Sequence, residues 1–358
     1  MTTTVSGSSI TFNDNTTQNT SAYGGGFAFR NKLINGDFDI AQRGTSFVSG
    51  ANNDDTYNLD RWYVLSDGND IVDITQTTTV PTGAKYSIGL DVETVNKKFG
   101  IAQIIENANC YDAIGGNVTL SFQARVSATT KLDNVKCAVV AWSGTADTVT
   151  SDIISAWNVE GTNPTLIANA TYENTPANLN VTTSWATYSV TANVDTASTT
   201  NIIVFIWSDV TDTTLGDFLY VTNVQLEKGS TATSFDYRPY GTELALCQRY
   251  FYKNKGDGAG SGPYGIGHCR SNYLRGLIHL PVVMRTTPTM TNTGTDADYI
   301  VTSGTSDFTS FVTRPSLDNG GNQILAFRVQ VSTGMTNGYA ALLSLNSSSS
   351  YLDFSAEL

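Results

Sequence analysis

Apolar and polar residues alternate with a period of two in segment after segment of this chain. The longest runs are Tyr86 to Val92, Val118 to Val126 and Val135 to Ala141, and shorter ones follow at Ile202 to Trp207 and Phe218 to Tyr220. Side chains along a β-strand point to opposite faces in turn, so each run predicts a strand with one buried face. No long helical pattern separates the runs, which predicts antiparallel strands packed as two sheets.

The composition agrees with an all-β fold. Charged residues make up 15% of the 358, against about 25% in a typical globular protein. Thr, Asn, Ser and Gly are abundant instead, which suits strands with a neutral polar face and frequent turns. At roughly 100–200 residues per domain, the length predicts two or three domains. We predict an N-terminal segment over 1–30, a β-sandwich over 31–238 and a smaller C-terminal β domain over 239–358.

Charge and hydropathy argue against binding to nucleic acids or anionic membranes and against a membrane-spanning segment. The formal net charge is −12, whereas nucleic acids and anionic membrane surfaces attract Lys/Arg patches. No apolar run approaches the roughly 18 residues that span a bilayer, and the first residues lack the pattern of a secretory signal. We therefore expect synthesis in a cytoplasm, with no nucleic-acid binding and no membrane insertion.

The cysteines show no CxxC spacing and are predicted to be free, buried thiols: Cys110, Cys137, Cys247 and Cys269.

The segment from Val221 to Arg249 predicts a junction between two β units. Val224 and Leu226 alternate as the last inward residues of a strand, and a turn follows at Lys228 to Ser230. After the proline at 239 the sequence predicts a short helix, with Thr242 as its N-cap and an acidic residue in its first turn. Strand-type alternation resumes near residue 250.

The same junction resembles that of bacteriophage and prophage tail fibre proteins. The stretch VQLEKGSTATSFDYRPYGTELALCQRYFY carries this resemblance. NKLINGDFDIAQRGTSF with LDRWY, before the junction, resembles the opening of the jelly-roll domain of such fibres. LPVVMRTTPT with the final YLDFSAEL resembles their C-terminal domain. The matches are ordered along roughly residues 31 to 358.

The resemblance implies a virion protein that is made in the host cytoplasm and becomes part of the tail. It implies a jelly roll similar to carbohydrate-binding modules, assembly as a homotrimer, and recognition of host cell-surface glycan. Residues 1–30 are implied to attach the fibre to other tail or baseplate proteins, and SGSSITFNDNTTQ resembles segments of cyanophage fibres. A jelly roll serves several roles. An adaptor or baseplate protein that binds other virion proteins therefore stays open as an alternative.

Catalytic residues are not expected. The two histidines, His268 and His279, lie in apolar strand context, and the sequence contains no GxSxG. Acidic pairs such as Asp209 and Asp212 lie in turn-like surroundings, whereas glycosidases need two facing carboxylates. The glycines from Gly256 to Gly262 lack the following Lys-Ser/Thr of a phosphate loop. A tailspike-like polysaccharide depolymerase remains the enzymatic alternative.

Candidate glycan-binding residues lie where the alternation lapses, between Trp142 and Val181. We predict a long loop there, with Trp157 and Tyr172 available to stack on sugar rings and Asn158 to bond hydroxyls. Two other tryptophans stand beside alternating apolar residues and are predicted to be core: Trp62 and Trp185.

No cofactor is expected, with one open point about calcium. Jelly rolls of this type often hold a structural calcium near the NGDF strand and the last strand, and Asp37 matches that pattern. The family usually has an acid before VQLE, where this chain has Thr222 and Asn223. The missing anionic ligand argues against the metal.

Overall fold

The computed structural model describes residues 10–11, 17–18, 29–256 and 263–358. In the N-terminal part, β1 (Ile10–Thr11) pairs antiparallel with β2 (Thr17–Gln18). The rest of the predicted attachment segment, up to residue 28, and the glycine-rich loop after Gly256 lie outside the described residues. Within the described ranges, no helix has both the length and the apolar character needed to span a membrane.

The first unit is built from antiparallel strands and one short helix, α1 (Asn107–Cys110). Its strands are β3 (Ser46–Phe47), β4 (Tyr63–Ser66), β5 (Val72–Thr77), β6 (Ser87–Val92), β7 (Phe99–Ile105), β8 (Asn117–Val126), β9 (Val135–Trp142), β10 (Ile154–Ala156), β11 (Thr165–Leu166), β12 (Ala170–Tyr172), β13 (Ala186–Asn193), β14 (Asn201–Ser208) and β15 (Phe218–Lys228).

Two sheets of this unit face each other as a jelly-roll β-sandwich. One has the order β12-β9-β14-β7-β4 and the other β13-β8-β15-β6-β5-β3. The core between them collects inward side chains from both sheets, including Trp62, Phe122 and Ile206. The alternating runs of the sequence supply these strands, because every second side chain turns toward the space between the sheets. The prediction of one buried face per strand is wrong for β9 and β14, which are buried on both faces. The predicted all-β jelly-roll class is confirmed.

The second unit begins with α2 (Tyr240–Gln248) and contains a 3₁₀ turn, Asp296–Asp298. Its strands are β16 (Phe251–Lys255), β17 (Pro263–Arg270), β18 (Tyr273–His279), β19 (Thr289–Asn292), β20 (Tyr299–Ser303), β21 (Ser306–Phe308), β22 (Phe311–Gly320), β23 (Ile324–Val331), β24 (Ala340–Leu345) and β25 (Tyr351–Ser355). They form sheets of order β16-β25-β19 and β21-β20-β24-β17-β18-β23-β22, which share one apolar core.

Helix α2 differs from the prediction at its start. It begins at Tyr240 with Pro239 as N-cap and no side-chain cap, so Thr242 already lies inside the helix. Proline suits this position because its fixed φ matches the first turn and it has no N–H to satisfy. Cys247 is buried on the inward face of the helix, beside Leu244. All four cysteines are free and buried, as the sequence predicted.

The structure contradicts two predictions, one about Trp185 and one about the stretch from Trp142 to Val181. Trp62 is fully buried in the sandwich core, as predicted. Trp185 is not core: it lies half-buried on the outer face of the six-stranded sheet, beside Tyr220. The stretch from Trp142 to Val181 is not one long loop. It contains the β10–β11 hairpin and β12, which pairs with β9 as the edge of the five-stranded sheet.

The chain's last residues join the two units. The Glu357 carboxylate accepts hydrogen bonds from Arg61 and, at 2.9 Å, from Arg43 of the sandwich. The Tyr57 hydroxyl donates to the backbone oxygen of Leu358 at 2.9 Å. Arg61 also stacks over the Tyr250 ring, with 3.6 Å from its guanidinium carbon to the ring centre. We call Arg43, Arg61 and Glu357 the clasp.

Candidate functional site

The predicted glycan-binding residues lie on the outer face of the five-stranded sheet. This face carries its own apolar cluster, formed by outward side chains of β4, β7, β9 and β14 and covered by residues 143–181. Trp157 packs edge-on against Phe205, with ring centres 5.9 Å apart, and Tyr172 lies in the same cluster. Both side chains are therefore half-buried and anchor residues 143–181 to the sheet, although no local pattern in the sequence indicated what buries them.

The polar side-chain groups of Tyr172 and Asn158 already form hydrogen bonds within the chain. The Tyr172 hydroxyl donates to the Pro164 carbonyl at 2.8 Å, and burial raises the pKa of Tyr172 well above its usual range. The Asn158 amide donates to the Asn163 carbonyl at 2.8 Å and to the Thr165 hydroxyl at 3.0 Å. A sugar would have to compete with these bonds. The structure brings Trp157, Asn158 and Tyr172 together over one sheet face. There they contact that sheet and neighbouring residues of the same segment.

A second aromatic surface lies on the outer face of the six-stranded sheet, and the sequence reading missed it. Phe218 and Tyr220 of β15 stack in parallel, with ring centres 5.1 Å apart and planes 3° apart. Trp185 continues the series, 6.4 Å from Tyr220. All three are half-buried. We call Phe218, Tyr220 and Trp185 the aromatic row.

Strand register explains why the row faces outward. Leu219 and Val221 are core residues, so the alternation turns Phe218 and Tyr220 to the other face. Tyr220 pairs with Gly89 of β6, where a Cβ would approach the Tyr220 ring to 3.3 Å. The glycine therefore gives the ring space to lie across the strand. The sequence signal for this surface was the alternation of two aromatic residues, Phe218 and Tyr220, with two aliphatic residues, Leu219 and Val221.

Charged groups flank the aromatic row. The Arg125 guanidinium lies 5.6 Å from the Tyr220 ring centre, and its Nε has no hydrogen-bond partner. Asp91 pairs in register with Phe218 on one side and with Asp73 of β5 on the other. Burial, followed by the nearby carboxylates of Glu93 and others, raises the pKa of Asp91 to about 6. One oxygen of Asp91 is buried and unpaired. The row thus has both donors and acceptors beside it.

The calcium ligand pattern is not completed in the structure. Among the residues described, no three His, Cys, Asp or Glu side chains group closely enough to hold a metal ion. Of the acids near Asp37, Asp39 pairs with Lys85 at 2.7 Å and Glu243 with Arg238 at 3.0 Å.

The residues that replace the family's acid also have other partners. The Thr222 hydroxyl donates to the Tyr86 carbonyl at 2.7 Å, and the Asn223 amide donates to Gln123 at 2.7 Å. Asp37 keeps one buried oxygen without a partner. A lone carboxylate falls short of the six or so oxygens that Ca²⁺ takes, so the residues present do not fit this metal.

Asp37→Asn is expected to stabilise the protein at pH 8 and to lose this advantage as the pH falls toward 4. Burial, reinforced by the Glu243 carboxylate, raises the pKa of Asp37 from 3.8 to about 6. The ionised carboxylate therefore costs stability above pH 6, and the cost disappears once both folded and unfolded states are protonated. Thermal melts of both proteins at several pH values measure the difference. Equal melting shifts at pH 4 and pH 8, or a wild-type melting point raised by Ca²⁺, would contradict this account.

Comparisons with known proteins add a likeness of fold. No family model and no curated protein matches the chain. Similar solved structures include the enzymatically active domain of tailspike protein 4 from bacteriophage CBA120, at 16% identity and TM-score 0.33, covering 56% of this chain and 22% of that one. A putative sugar binding protein from Bacteroides thetaiotaomicron has 13% identity and TM-score 0.34, covering 56% and 100%. A xylan-binding domain from Paenibacillus barcinonensis has 12% identity and TM-score 0.31, covering 57% and 98%.

These likenesses assign neither a ligand nor a residue role to this chain, because the identities and TM-scores are low. The chain spans about a fifth of the tailspike domain's length.

Proposed function

We propose that this protein is a non-catalytic, glycan-binding component of a phage tail fibre, and that the aromatic row is its sugar-binding surface. The observation that carries the proposal is the stacked, half-exposed series Phe218, Tyr220 and Trp185 on an otherwise polar sheet face. Aromatic faces stack on the C–H faces of sugar rings, and a few polar groups around them fix orientation. The tail-fibre assignment rests on the sequence resemblance across residues 31 to 358.

Flanking charges suit hydroxyl recognition. A carboxylate accepts hydrogen bonds from sugar hydroxyls, and a guanidinium donates them in a fixed geometry. Asp91 and Arg125 each have an unpaired polar atom beside the row. With a net charge of −12, the chain would repel a strongly anionic polymer at low salt. We therefore expect a neutral glycan or one that carries amino groups.

Tyr220→Ala is expected to reduce binding to host glycan or whole host cells at least tenfold while the fold is retained. The substitution removes the central ring of the row, and one aromatic contact contributes about 0.5–1.5 kcal/mol beyond its buried area. Titration calorimetry with purified surface glycan measures the affinity, and far-UV circular dichroism checks the fold. Tyr111→Ala is a matched control, because Tyr111 is 82% exposed and lies outside the row.

Residues 143–181, which cover the five-stranded sheet and which we call the excursion, give the competing prediction. If sugar binds there instead, Trp157→Ala and Tyr172→Ala will abolish binding while Tyr220→Ala leaves it unchanged. If the wild-type protein binds neither cells nor glycan, the adaptor function is favoured instead.

Assembly as a homotrimer belongs to the same proposal, with attachment to tail or baseplate proteins through residues 1–30. An exposed apolar set supports subunit contact in the second unit: Ile266, Leu277 and Ile324 are exposed, and Ile266 and Leu277 pair in register. Such a patch is typical of protein contacts.

Sedimentation equilibrium of the intact chain is expected to give about three times 38.4 kDa. Leu277→Lys should shift the mass toward the monomer, because a lysine desolvated in an apolar contact is costly. Lys255→Arg, on an exposed strand end outside this patch, is the control. A monomeric wild type at micromolar concentration would contradict the trimer.

Polysaccharide cleavage is the second candidate, favoured by one specific observation. Asp73 and Asp91 pair across adjacent strands beside the aromatic row, and both have raised pKa values from burial and from nearby carboxylates. Two facing carboxyls with one held protonated is the arrangement that glycosidases use. Release of reducing ends from host polysaccharide, abolished by Asp91→Asn, would establish an enzyme and overturn the non-catalytic proposal.

A further inference from the structure

A buried cluster of charges lies beneath the excursion, away from the aromatic row. Asp209 follows β14, and its side chain is fully buried. Its two oxygens accept hydrogen bonds from two lysines: Lys98 Nζ lies 2.5 Å from Oδ1, and Lys136 Nζ lies 2.7 Å from Oδ2. The lysine side chains are 1% and 6% exposed. Removing three charged groups from water is costly, so this cluster calls for an explanation beyond pinning a loop.

Lys136 also contacts an asparagine of the excursion. Its Nζ lies 3.0 Å from the Asn163 Oδ1. The asparagine is held by its neighbours, because its carbonyl accepts from Asn158 and its amide nitrogen lies 3.4 Å from the Pro176 carbonyl. The Lys136 amine thus lies within hydrogen-bond distance of both the Asp209 carboxylate and the Asn163 side-chain amide.

The surroundings of the cluster are apolar. Lys136 pairs in register with Trp207 of β14, which is fully buried and stacks on Phe205 with ring centres 4.5 Å apart. Desolvation in an apolar pocket favours a lysine as a nucleophile.

We propose that Lys136 and Asn163 form an intramolecular isopeptide bond, with Asp209 as the proton shuttle. Lys136 gives a proton to Asp209 Oδ2, and the neutral amine attacks the Asn163 Cγ. The new C–N bond forms as the bond from Cγ to the side-chain nitrogen breaks. Asp209 passes this proton to the leaving nitrogen and then transfers a second proton from the attacking nitrogen to it, so that one ammonium and one amide become one secondary amide and one ammonium ion. No oxidant or co-reactant is consumed.

The remaining contacts of the cluster favour Asn163 over Asp209 as the group that Lys136 attacks, and they hold Asp209 in position. Asp209 is bonded to Lys98 and also accepts from the Gly161 N–H at 2.9 Å. A carboxylate paired with two ammonium groups is a poor electrophile, whereas the neutral Asn163 amide is a better one. Lys98 also donates to the Val159 carbonyl at 3.1 Å, which holds the excursion over the cluster. Lys98 is therefore a positioning residue, and the bond would fasten the excursion covalently to β9.

The intact mass of the wild-type chain tests the proposal directly. Under denaturing conditions we expect a mass about 17 Da (one ammonia) below that of the sequence, corrected for removal of the first methionine. Proteolysis should release one branched peptide that joins Lys136 to Asn163, with no cleavage by trypsin after Lys136. The variants Lys136→Arg, which retains the charge, and Asn163→Ala should each have the mass calculated from their own sequence, with no loss of ammonia.

Three results would overturn it. One is an unmodified wild-type mass. A second is a loss of about 17 Da without the branched peptide, which indicates succinimide formation at another asparagine. The third is a loss of about 18 Da with a lysine joined to Asp209. Because the wild-type measurement decides, variants that fail to fold do not weaken the test.

Discussion

Glu357→Gln is expected to lower the free energy of unfolding by about 3–5 kcal/mol, the range for removing one partner of a buried ion pair. Glu357 is 7% exposed and accepts from Arg61, which is 2% exposed. The variant leaves that guanidinium buried without a counter-charge. Arg61 keeps its bond to the Ile104 carbonyl at 2.6 Å and its stacking on Tyr250, so its geometry is retained while the charge is uncompensated.

Urea unfolding followed by two probes would measure this effect. All the tryptophans lie between residues 62 and 207, so their fluorescence reports on the sandwich, whereas far-UV circular dichroism reports on both units. Because the clasp couples the units, we expect coincident transitions in the wild type and separated transitions in the variant.

Asp212→Asn is the matched control for the clasp variant. It breaks a surface pair with Lys131 in which the Asp212 side chain is 60% exposed. Solvent and salt screen such pairs, so the change should stay within about 0.5 kcal/mol. Equal, small losses for the two variants would show that the clasp does not hold the units together.

Gly36→Ala is expected to destabilise the sandwich by about 3 kcal/mol or more, beyond the usual cost of overpacking. A Cβ on Gly36 would lie 2.0 Å from the Val224 carbonyl oxygen and 3.1 Å from its carbon. The obstacle is backbone, which cannot rotate aside as a side chain would. The same carbonyl accepts from the Asn31 amide at 2.9 Å, and the Val224 N–H donates to the Gly36 carbonyl at 2.8 Å. Making room would therefore break the bonds that tie the NGDF segment to β15.

Gly116→Ala controls for the loss of a glycine as such. No atom lies within 4 Å of the Cβ it would gain, and its φ lies outside the left-handed region. We expect this variant to retain wild-type stability, or to gain slightly through a less flexible unfolded chain. Thermal melts of the two variants measure the contrast. A Gly36→Ala protein that melts within a degree or two of the wild type would refute the close approach.

The fold of the sandwich was predictable from the sequence because strand alternation is local. Every second residue from Val118 to Val126 and from Val135 to Val139 lies in the core between the sheets, and placing these residues on one face needs no knowledge of the partner strand. The burial of Ala138 and Val140 on the opposite face was not predictable in this way. Trp62 could likewise be assigned to the core from its neighbours. The helix after Pro239 was predictable too, although its N-cap was misplaced by three positions, at Thr242.

What covers each outer sheet face was decided only by the tertiary structure. Trp185 stands beside alternating apolar residues in the sequence, whereas Trp157 stands where the alternation lapses. The excursion folds back over the five-stranded sheet and half-buries Trp157, whereas the outer face of the six-stranded sheet leaves Trp185 in the aromatic row. Alternation assigns a side chain to a face, but not whether a distant segment lies on that face.

The clasp and the lysine cluster depend on the same long-range packing. Arg61 and Glu357 are 296 residues apart, and Lys98 and Asp209 are 111 apart. A charged residue in a sequence is expected at the surface unless it is paired, and no local pattern names a partner at that distance. The sequence by itself determined the all-β class, the strands of the sandwich and the side chains that face its core. Only the folded chain, by bringing distant β-strands and the C-terminus together, decided which charges are buried and which rings stay exposed, because those outcomes depend on which surfaces meet.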